Sequence, residues 1–377
     1  MPLVQFPSTE RPVVSVVVLA WKQTDRLIGC LSALAASADA PEFEIVLVLN
    51  GASDEVRRVV AENVSGAQIV DVEANIGFGG GCNVGVDRAR GQYILLLNDD
   101  AIVHEHLLSR LHFRIDTEPD IGAVAAVLVN PDGTLQEAGS RVLEGAGTVQ
   151  LGAGLALDAE EAQPFLTVRN IDYGSAAALL VCKAAFDAIG GFDSIYEPAY
   201  FEDVDLAFRL KESGWRVVLE PAATAVHAAG SSTSTETRFR HFAADHAGTA
   251  FIARWNDVLS TAPQRDADLA ALVNVPRAAR PAATRSTDSP LAIAASIANG
   301  YAGWLTATLD RLESQHAEAD HVLAAEREES RQLRERVDSL GATAHALRAR
   351  LDDLESRGPV GLAKWQVGLL RSRHTRG

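Results

Sequence analysis

From Val13 to about Trp255 the chain alternates compact apolar runs with amphipathic stretches. Val13 to Leu19, Glu44 to Leu49 and Tyr93 to Leu97 are rich in Val, Ile and Leu, and a weaker run covers Gln68 to Val70. Strands covered on both faces read this way, because neither face meets water. Between the runs, Thr24 to Ala36, Asp54 to Glu62 and Gly80 to Ala89 carry helical patterns. Strand and helix in alternation predict an α/β domain with a mostly parallel central sheet. Several nucleotide-binding folds share that rhythm, so function has to come from the residues at the strand ends.

The pattern changes after the core, which is expected to occupy residues 10–258. Pro263, Pro276, Pro281 and Pro290 interrupt an Ala-rich stretch, so residues 259–304 read as a linker with short helices. Residues 305–357 are strongly charged and free of proline, which predicts a long helix. Leu333, Val337, Leu340, Ala344, Leu347, Leu351 and Leu354 follow alternating steps of four and three, the seam of a coiled coil. Leu309, Leu312, Ala319 and Leu323 extend it upstream, with interruptions at His316 and Glu326. A homo-oligomer through this helix is the expectation, with packing back on the core as the competitor. In residues 358–377, Trp365, Val367, Leu369 and Leu370 mix with Lys364, Arg371, Arg373 and Arg376. That composition suits either peripheral membrane contact or an ordinary terminal helix.

Length and charge narrow the classes. At 377 residues the chain exceeds one ordinary core, which agrees with a domain plus helical extension. A formal charge of −16 argues against a nucleic-acid partner. Cys30, Cys82 and Cys182 form no C-x-x-C pair, which argues against a thiolate zinc site and fits a reducing compartment. No run reaches about 18 apolar residues, and the first turns of sequence lack a signal-peptide pattern. The expected location is cytoplasmic, at the inner face of the cell membrane.

Three constellations carry candidate chemistry. Asn98-Asp99-Asp100 follows Tyr93 to Leu97, so two carboxylates stand at the carboxyl end of a buried strand, where open α/β sheets bind ligands. One carboxylate there can meet a hard cation that also touches phosphates, while the other holds ribose or a loop; a solvated turn is the plainer reading. Asn75-Ile76-Gly77-Phe78-Gly79-Gly80-Gly81-Cys82-Asn83 precedes a helical pattern and permits close backbone approach to a nucleotide or sugar. It is neither a dinucleotide fingerprint nor a P-loop, and a conformational glycine turn competes with it. Gly190-Gly191-Phe192-Asp193 leads toward Glu202-Asp203-Val204-Asp205-Leu206, where the acids either cap a helix or supply a general base. His227, beyond the apolar run Trp215 to Leu219 and a turn at Pro221, is either a metal imidazole or a structural histidine. The Ser231-Ser232-Thr233-Ser234-Thr235 run reads as a segment able to close over substrate.

In order and separation these landmarks, together with Ser15-Val16-Val17-Val18, resemble inverting family 2 glycosyltransferases of the GT-A fold, especially rhamnosyltransferase-like members of bacterial cell-surface polysaccharide pathways. The resemblance covers roughly residues 13–258. It implies a nucleoside diphosphate sugar held beside Asp99 and the glycine loop at Asn75, Gly77, Gly80 and Asn83. It further implies Mg²⁺ or Mn²⁺ held by Asp100 with His227, Asp203 as catalytic base, and Glu202 shaping the acceptor site. The acceptor would be a glycan or a lipid-linked glycan. Two departures touch the donor pocket. Ala20-Trp21-Lys22 stands where many relatives have Thr-Tyr-Asn, and Leu49 precedes Asn50 where many have Asp. Leu49 cannot accept a hydrogen bond from a pyrimidine ring, which leaves Asp71 or a backbone carbonyl to replace it and Lys22 to approach the diphosphate. The alternatives are a sugar nucleotidyltransferase and a catalytically inactive glycan-binding scaffold.

Overall fold

The computed structural model describes residues 3–228, 237–264, 272–278 and 280–356. The chain divides into two units, Met1–Ala302 and Gly303–Gly377. In the first, ten strands form one sheet: β1 (Val14–Ala20), β2 (Phe43–Asn50), β3 (Gln68–Val72), β4 (Tyr93–Asn98), β5 (Ala101–Val103), β6 (Ile121–Val129), β7 (Leu135–Glu137), β8 (Arg169–Asn170), β9 (Ala178–Cys182) and β10 (Arg216–His227). Their order is β8-β10-β6-β9-β4-β1-β2-β3, with β5 added to β10 and β7 to β6. The half containing β4, β1, β2 and β3 is parallel. Beyond it the sheet is mixed: β9 runs antiparallel to both β4 and β6, while β6 and β10 are parallel.

Helices cover both faces, which explains the unbroken apolar runs of β1, β2 and β4. On one side Val16, Val18, Leu47 and Leu95 pack with residues of α1 (Thr24–Ala35), α2 (Asp54–Asn63) and α4 (Leu107–Thr117). The alternate residues Val17, Val46, Val48 and Ile94 belong to a second core, with α3 (Phe78–Val86), α5 (Lys183–Ala188), α6 (Glu202–Glu212) and α7 (Thr237–Leu259). The glycines of α3 let it lie close on the sheet. A Cβ on Gly85 would stand 2.4 Å from Val17 Cγ1, and one on Gly81 2.6 Å from Leu19 Cδ2.

Two readings of the sequence change. The turn expected at Pro221 is a register shift inside β10, between Glu220 and Thr224, so the strand continues to His227. Proline is tolerated there because a bulge relieves the ladder of one donor. The proline-rich stretch is also more than a linker over its described residues. Val273 is buried and donates its N–H to Asp172 at 2.9 Å. Arg280 binds Glu212 at 2.7 Å, and Arg285 reaches the Gly190 carbonyl at 2.9 Å and Asp87 at 2.7 Å. Proline stops helices without preventing burial, so the first unit continues to Ala302.

The helix α8 (Pro290–Ser356) begins in the first unit, where Ile293 is buried, and supplies the described part of the second. There Leu333, Val337, Leu340 and Leu347 are exposed in the single chain. The side chains of Ala319, Leu351 and Leu354, the segment Ser231 to Thr235 and residues 358–377 lie outside the described residues. Among the described residues, no helix is long and apolar enough to cross a membrane.

Candidate active site

Strand pairing assembles the first half of the site. β4 ends at Asn98, Asp99 and Asp100 turn the chain, and β5 then runs antiparallel to the end of β10 with Ala101 opposite His227. Asp100 is thereby brought beside His227, with Oδ1 3.2 Å from Nε2, and both residues are buried. Asn98 Nδ2 lies 3.2 Å from the same Nε2, while Gln136 Oε1 lies 2.7 Å from Nδ1. Arg26, in the first turn of α1, has Nη1 3.6 Å from Asp100 Oδ2. Burial, then the neighbouring Asp100, raise Asp99 to about 7, against the Trp21 N–H and Arg26, which favour its charged form.

This donor set fits a hard divalent cation. With metal–ligand bonds of about 2.1 Å, adjacent ligand atoms stand about 3 Å apart, comparable to the 3.2 Å between Asp100 Oδ1 and His227 Nε2. Among the described residues no group of three or more His, Cys, Asp or Glu gathers as a self-sufficient cage. A two-residue set suits a cation completed by substrate phosphates and water.

The second half of the site comes from α6 and the turn before β9. Asp203, in the first turn of α6, accepts N–H bonds from Val204 at 2.8 Å and from Ala176. Burial raises Asp203 to about 6 despite those donors. Glu202 is pushed well above its ordinary value by burial and then by Asp203, and its Oε2 has no hydrogen-bond partner among the described residues. Glu137, at the end of β7, accepts the Ser175 N–H at 3.0 Å. Burial raises it to about 7, with a smaller contribution from Asp203. Ala177 then accepts the Asn98 N–H at 3.1 Å. Three consecutive residues, Ser175, Ala176 and Ala177, therefore tie Glu137, Asp203 and the Asn98-Asp99-Asp100 turn together. Just before Asp203, Tyr200 and Phe201 hold left-handed backbone at φ 78° and 61°. Such conformations cost about 1–3 kcal/mol each and persist where surrounding contacts enforce them.

The family described as Glycosyltransferase like family 2 matches residues 11–244, a span that contains both halves of this site. The chain belongs to that family. Its sheet, with the acidic turn after β4, is the GT-A arrangement that the motifs implied. Among similar proteins is "N-acetylglucosaminyl-diphospho-decaprenol L-rhamnosyltransferase" of Mycobacterium tuberculosis, 25% identical over 63% of this chain and 82% of that protein. The uncharacterized protein y4gI of Sinorhizobium fredii is 25% identical over 61% of this chain, but the match spans only 26% of its own length. Of solved structures, mannosyltransferase PcManGT from Pyrobaculum calidifontis, in complex with GDP-Man and Mn²⁺, is similar with a TM-score of 0.48 and 16% identity, over 69% of this chain and 72% of that one.

In this family 2 domain the glycine loop is built chiefly by packing. Asn75 Oδ1 accepts the Gly77 N–H at 2.9 Å, and Asn50 Nδ2 donates to the Gly77 carbonyl at 2.9 Å. Gly77 has φ +83°, and a Cβ there would meet the Pro198 carbonyl oxygen at 2.8 Å. A Cβ on Gly80 would lie 3.1 Å from Glu197 Oε1. Asn83, expected at the nucleotide, has both ends of its amide on the Phe192 backbone, at 3.0 and 2.9 Å. It is a strut between α3 and the Gly190-Gly191-Phe192-Asp193 turn. Asp205, third acid of its motif, is likewise a structural hub, receiving Tyr196 Oη at 3.0 Å, Trp255 Nε1 at 2.8 Å and Arg209 Nε at 2.6 Å.

The donor-pocket departures acquire a physical setting. Leu49 is buried in the core shared with α1 and α2. Both Asp71 oxygens accept from Arg57, at 3.0 and 2.9 Å, so that carboxylate is already engaged. Lys22 Nζ lies 3.7 Å from the Trp21 ring centroid. Sequence reasoning missed Arg26, Gln136, Glu137 and the Ser175–Ala177 turn. Arg26 lies inside an ordinary helical pattern, and the other residues reach the site only through long-range strand pairing.

Proposed function

We propose that this chain transfers a sugar from a nucleoside diphosphate donor to a hydroxyl of a glycan or lipid-linked acceptor, with inversion at the anomeric carbon, in cell-envelope polysaccharide synthesis. The observation that carries the reading is the convergence of two acid groups on one short turn: Asp99 and Asp100 through Ala177, and Asp203 through Ala176. One group suits a diphosphate and its cation, the other an acceptor proton. Rhamnose on deoxythymidine diphosphate is the first donor to test, because both the motifs and the mycobacterial relative point to rhamnosyl transfer.

Asp203 removes the acceptor hydroxyl proton as that oxygen attacks the anomeric carbon from the face opposite the diphosphate. Its raised pKa brings it nearer to a working range for a base, while the Val204 and Ala176 N–H groups orient the carboxylate. Glu202, buried beside it, shapes the acceptor side. On the donor side Asp99 receives the Trp21 N–H and meets the nucleoside. Asp100 and His227 are the residues that would hold Mg²⁺ or Mn²⁺, which would supply charge neutralisation for the departing diphosphate. A single displacement needs no carboxylate nucleophile, which distinguishes this arrangement from a retaining glycosidase.

The exposed seam of α8 supports pairing with a second copy of the chain, and the domain would act at the inner face of the membrane, where lipid-linked acceptors are reached. Mass-spectrometric screening of nucleotide-sugar donors against lipid-linked acceptors, with Mg²⁺ or Mn²⁺, tests the reading. Release of nucleoside diphosphate with a glycosylated acceptor is expected. Pyrophosphate release with formation of an activated sugar would instead identify a nucleotidyltransferase.

A further inference from the structure

His227 is held by one amide at two points. Gln136 Oε1 lies 2.7 Å from His227 Nδ1, and Gln136 Nε2 lies 3.0 Å from the His227 carbonyl oxygen. The same Nε2 also donates to Asn130 Oδ1 at 3.0 Å, while Asn130 Nδ2 donates to Thr134 Oγ1 at 3.0 Å. This network fixes the direction of every bond in it. A backbone carbonyl oxygen only accepts, so the Gln136 atom facing it must be the NH₂ group. The other end of the amide is then an oxygen, which also only accepts. His227 must therefore carry its proton on Nδ1.

The consequence appears on the opposite side of the ring. With Nδ1 protonated in the neutral imidazole, Nε2 carries a lone pair. Asn98 Nδ2, 3.2 Å away, is oriented as a donor to that lone pair. Asp100 Oδ1 lies 3.2 Å from the same nitrogen, so an electron-rich oxygen and an electron-rich nitrogen converge. A cation bound at this point would take the Nε2 lone pair from Asn98 Nδ2 and meet the Asp100 carboxylate at the same time.

Gln136 reaches His227 because of a local irregularity. Glu137 pairs with Leu128 and Leu135 with Val129, so two residues of β6 oppose three of β7, and Gln136 is the extra one. A bulged residue leaves the regular ladder and its side chain is re-aimed.

We propose that Gln136 is a positioning residue that locks His227 in its Nδ1–H tautomer and so presents Nε2, together with Asp100, as a metal-donor pair. The metal part rests on the reading of Asp100 and His227 given above, whereas the tautomer does not. Partners behind a ligating imidazole typically change metal affinity by about 10- to 100-fold when removed.

The test uses the full chain, labelled with ¹⁵N-histidine, metal-free, at a pH where the imidazole is neutral. Two-bond ¹H–¹⁵N correlation, with His227 identified by signal loss in His227→Asn, reads which ring nitrogen carries the proton. The expected parental spectrum has a protonated Nδ1 and an unprotonated Nε2, and Gln136→Met, of similar length but without the amide, gives a tautomer mixture. Gln136→Leu serves as a second disruptor should the Met variant fold poorly, with circular dichroism checking both. Mn²⁺ titration by electron paramagnetic resonance, with deoxythymidine diphosphate present, should show about 10- to 100-fold weaker binding in the folded variant. A parental Nε2–H tautomer, or one unchanged by loss of the amide, would overturn the proposal. Equal Mn²⁺ affinity in parent and variant would also overturn it. An Nδ1–H parent that binds no Mn²⁺ would uphold the tautomer lock while refuting the metal reading.

Discussion

Asp100 and His227 come from distant parts of the sequence, and only the pairing of β5 with β10 makes them neighbours. Asp100 was legible as a candidate because it follows an apolar run, and His227 through the family resemblance, but their 3.2 Å approach was not. On this account Asp100→Ala weakens metal-dependent binding of nucleoside diphosphate, and calorimetry with and without Mn²⁺ measures it. Equal affinity in parent and variant under both conditions would remove Asp100 from the cation. Glu137 illustrates the opposite case, a buried neighbour of Asp203 without a sequence signal. Its carboxyl is raised from 4.5 to about 7, chiefly by burial. Between those values the folded protein holds a proton that the unfolded chain has released, so this group's contribution to stability falls as pH rises through the window. Glu137→Gln keeps an acceptor for the Ser175 N–H and cannot ionise. Its melting temperature relative to the parent should therefore climb between pH 4.5 and 7 and level off above, as read by differential scanning calorimetry. Parallel pH profiles would show that Glu137 does not titrate in this way.

At the scale of elements, the N-terminal strands and helices were readable because burial on both faces of a parallel sheet writes itself as continuous apolar sequence. The antiparallel β9 and the long β10 were harder. Pro221 looked like a turn and is accommodated by a bulge, and β9 owes its place to partners on both sides. The glycine loop was legible as a special backbone, yet much of its glycine content serves the approach of α3 to the sheet. Gly85→Ala tests this directly. Helix propensity alone would favour Ala by about 1 kcal/mol. A Cβ 2.4 Å from Val17 and 3.0 Å from Val48 should more than reverse that gain, leaving a net loss of about 1–3 kcal/mol. Urea denaturation measures the outcome, and a stabilised variant would show that the contact relaxes freely.

For the whole molecule, the family assignment fits a domain in which the turn Ser175 to Ala177 ties Asp203 to the Asn98-Asp99-Asp100 turn, followed by a helix with exposed apolar residues. The long helix was legible because a charged, proline-free stretch is a local signal, whereas the packing of Val273, Arg280 and Arg285 was hidden behind prolines. If α8 joins two copies, truncation after Ser330 should convert a dimer to a monomer in sedimentation velocity; an unchanged oligomeric state would sink that role. The central claim is that Asp203 removes the acceptor proton. Substitution Asp203→Asn keeps size and removes the base, so the most direct measurement is the single-turnover rate of glycosyl transfer, with the donor and acceptor found by screening, in parent and variant. The account predicts a fall of about 10²- to 10⁴-fold with nucleotide affinity preserved. Transfer at the parental rate by a correctly folded Asp203→Asn protein would contradict it.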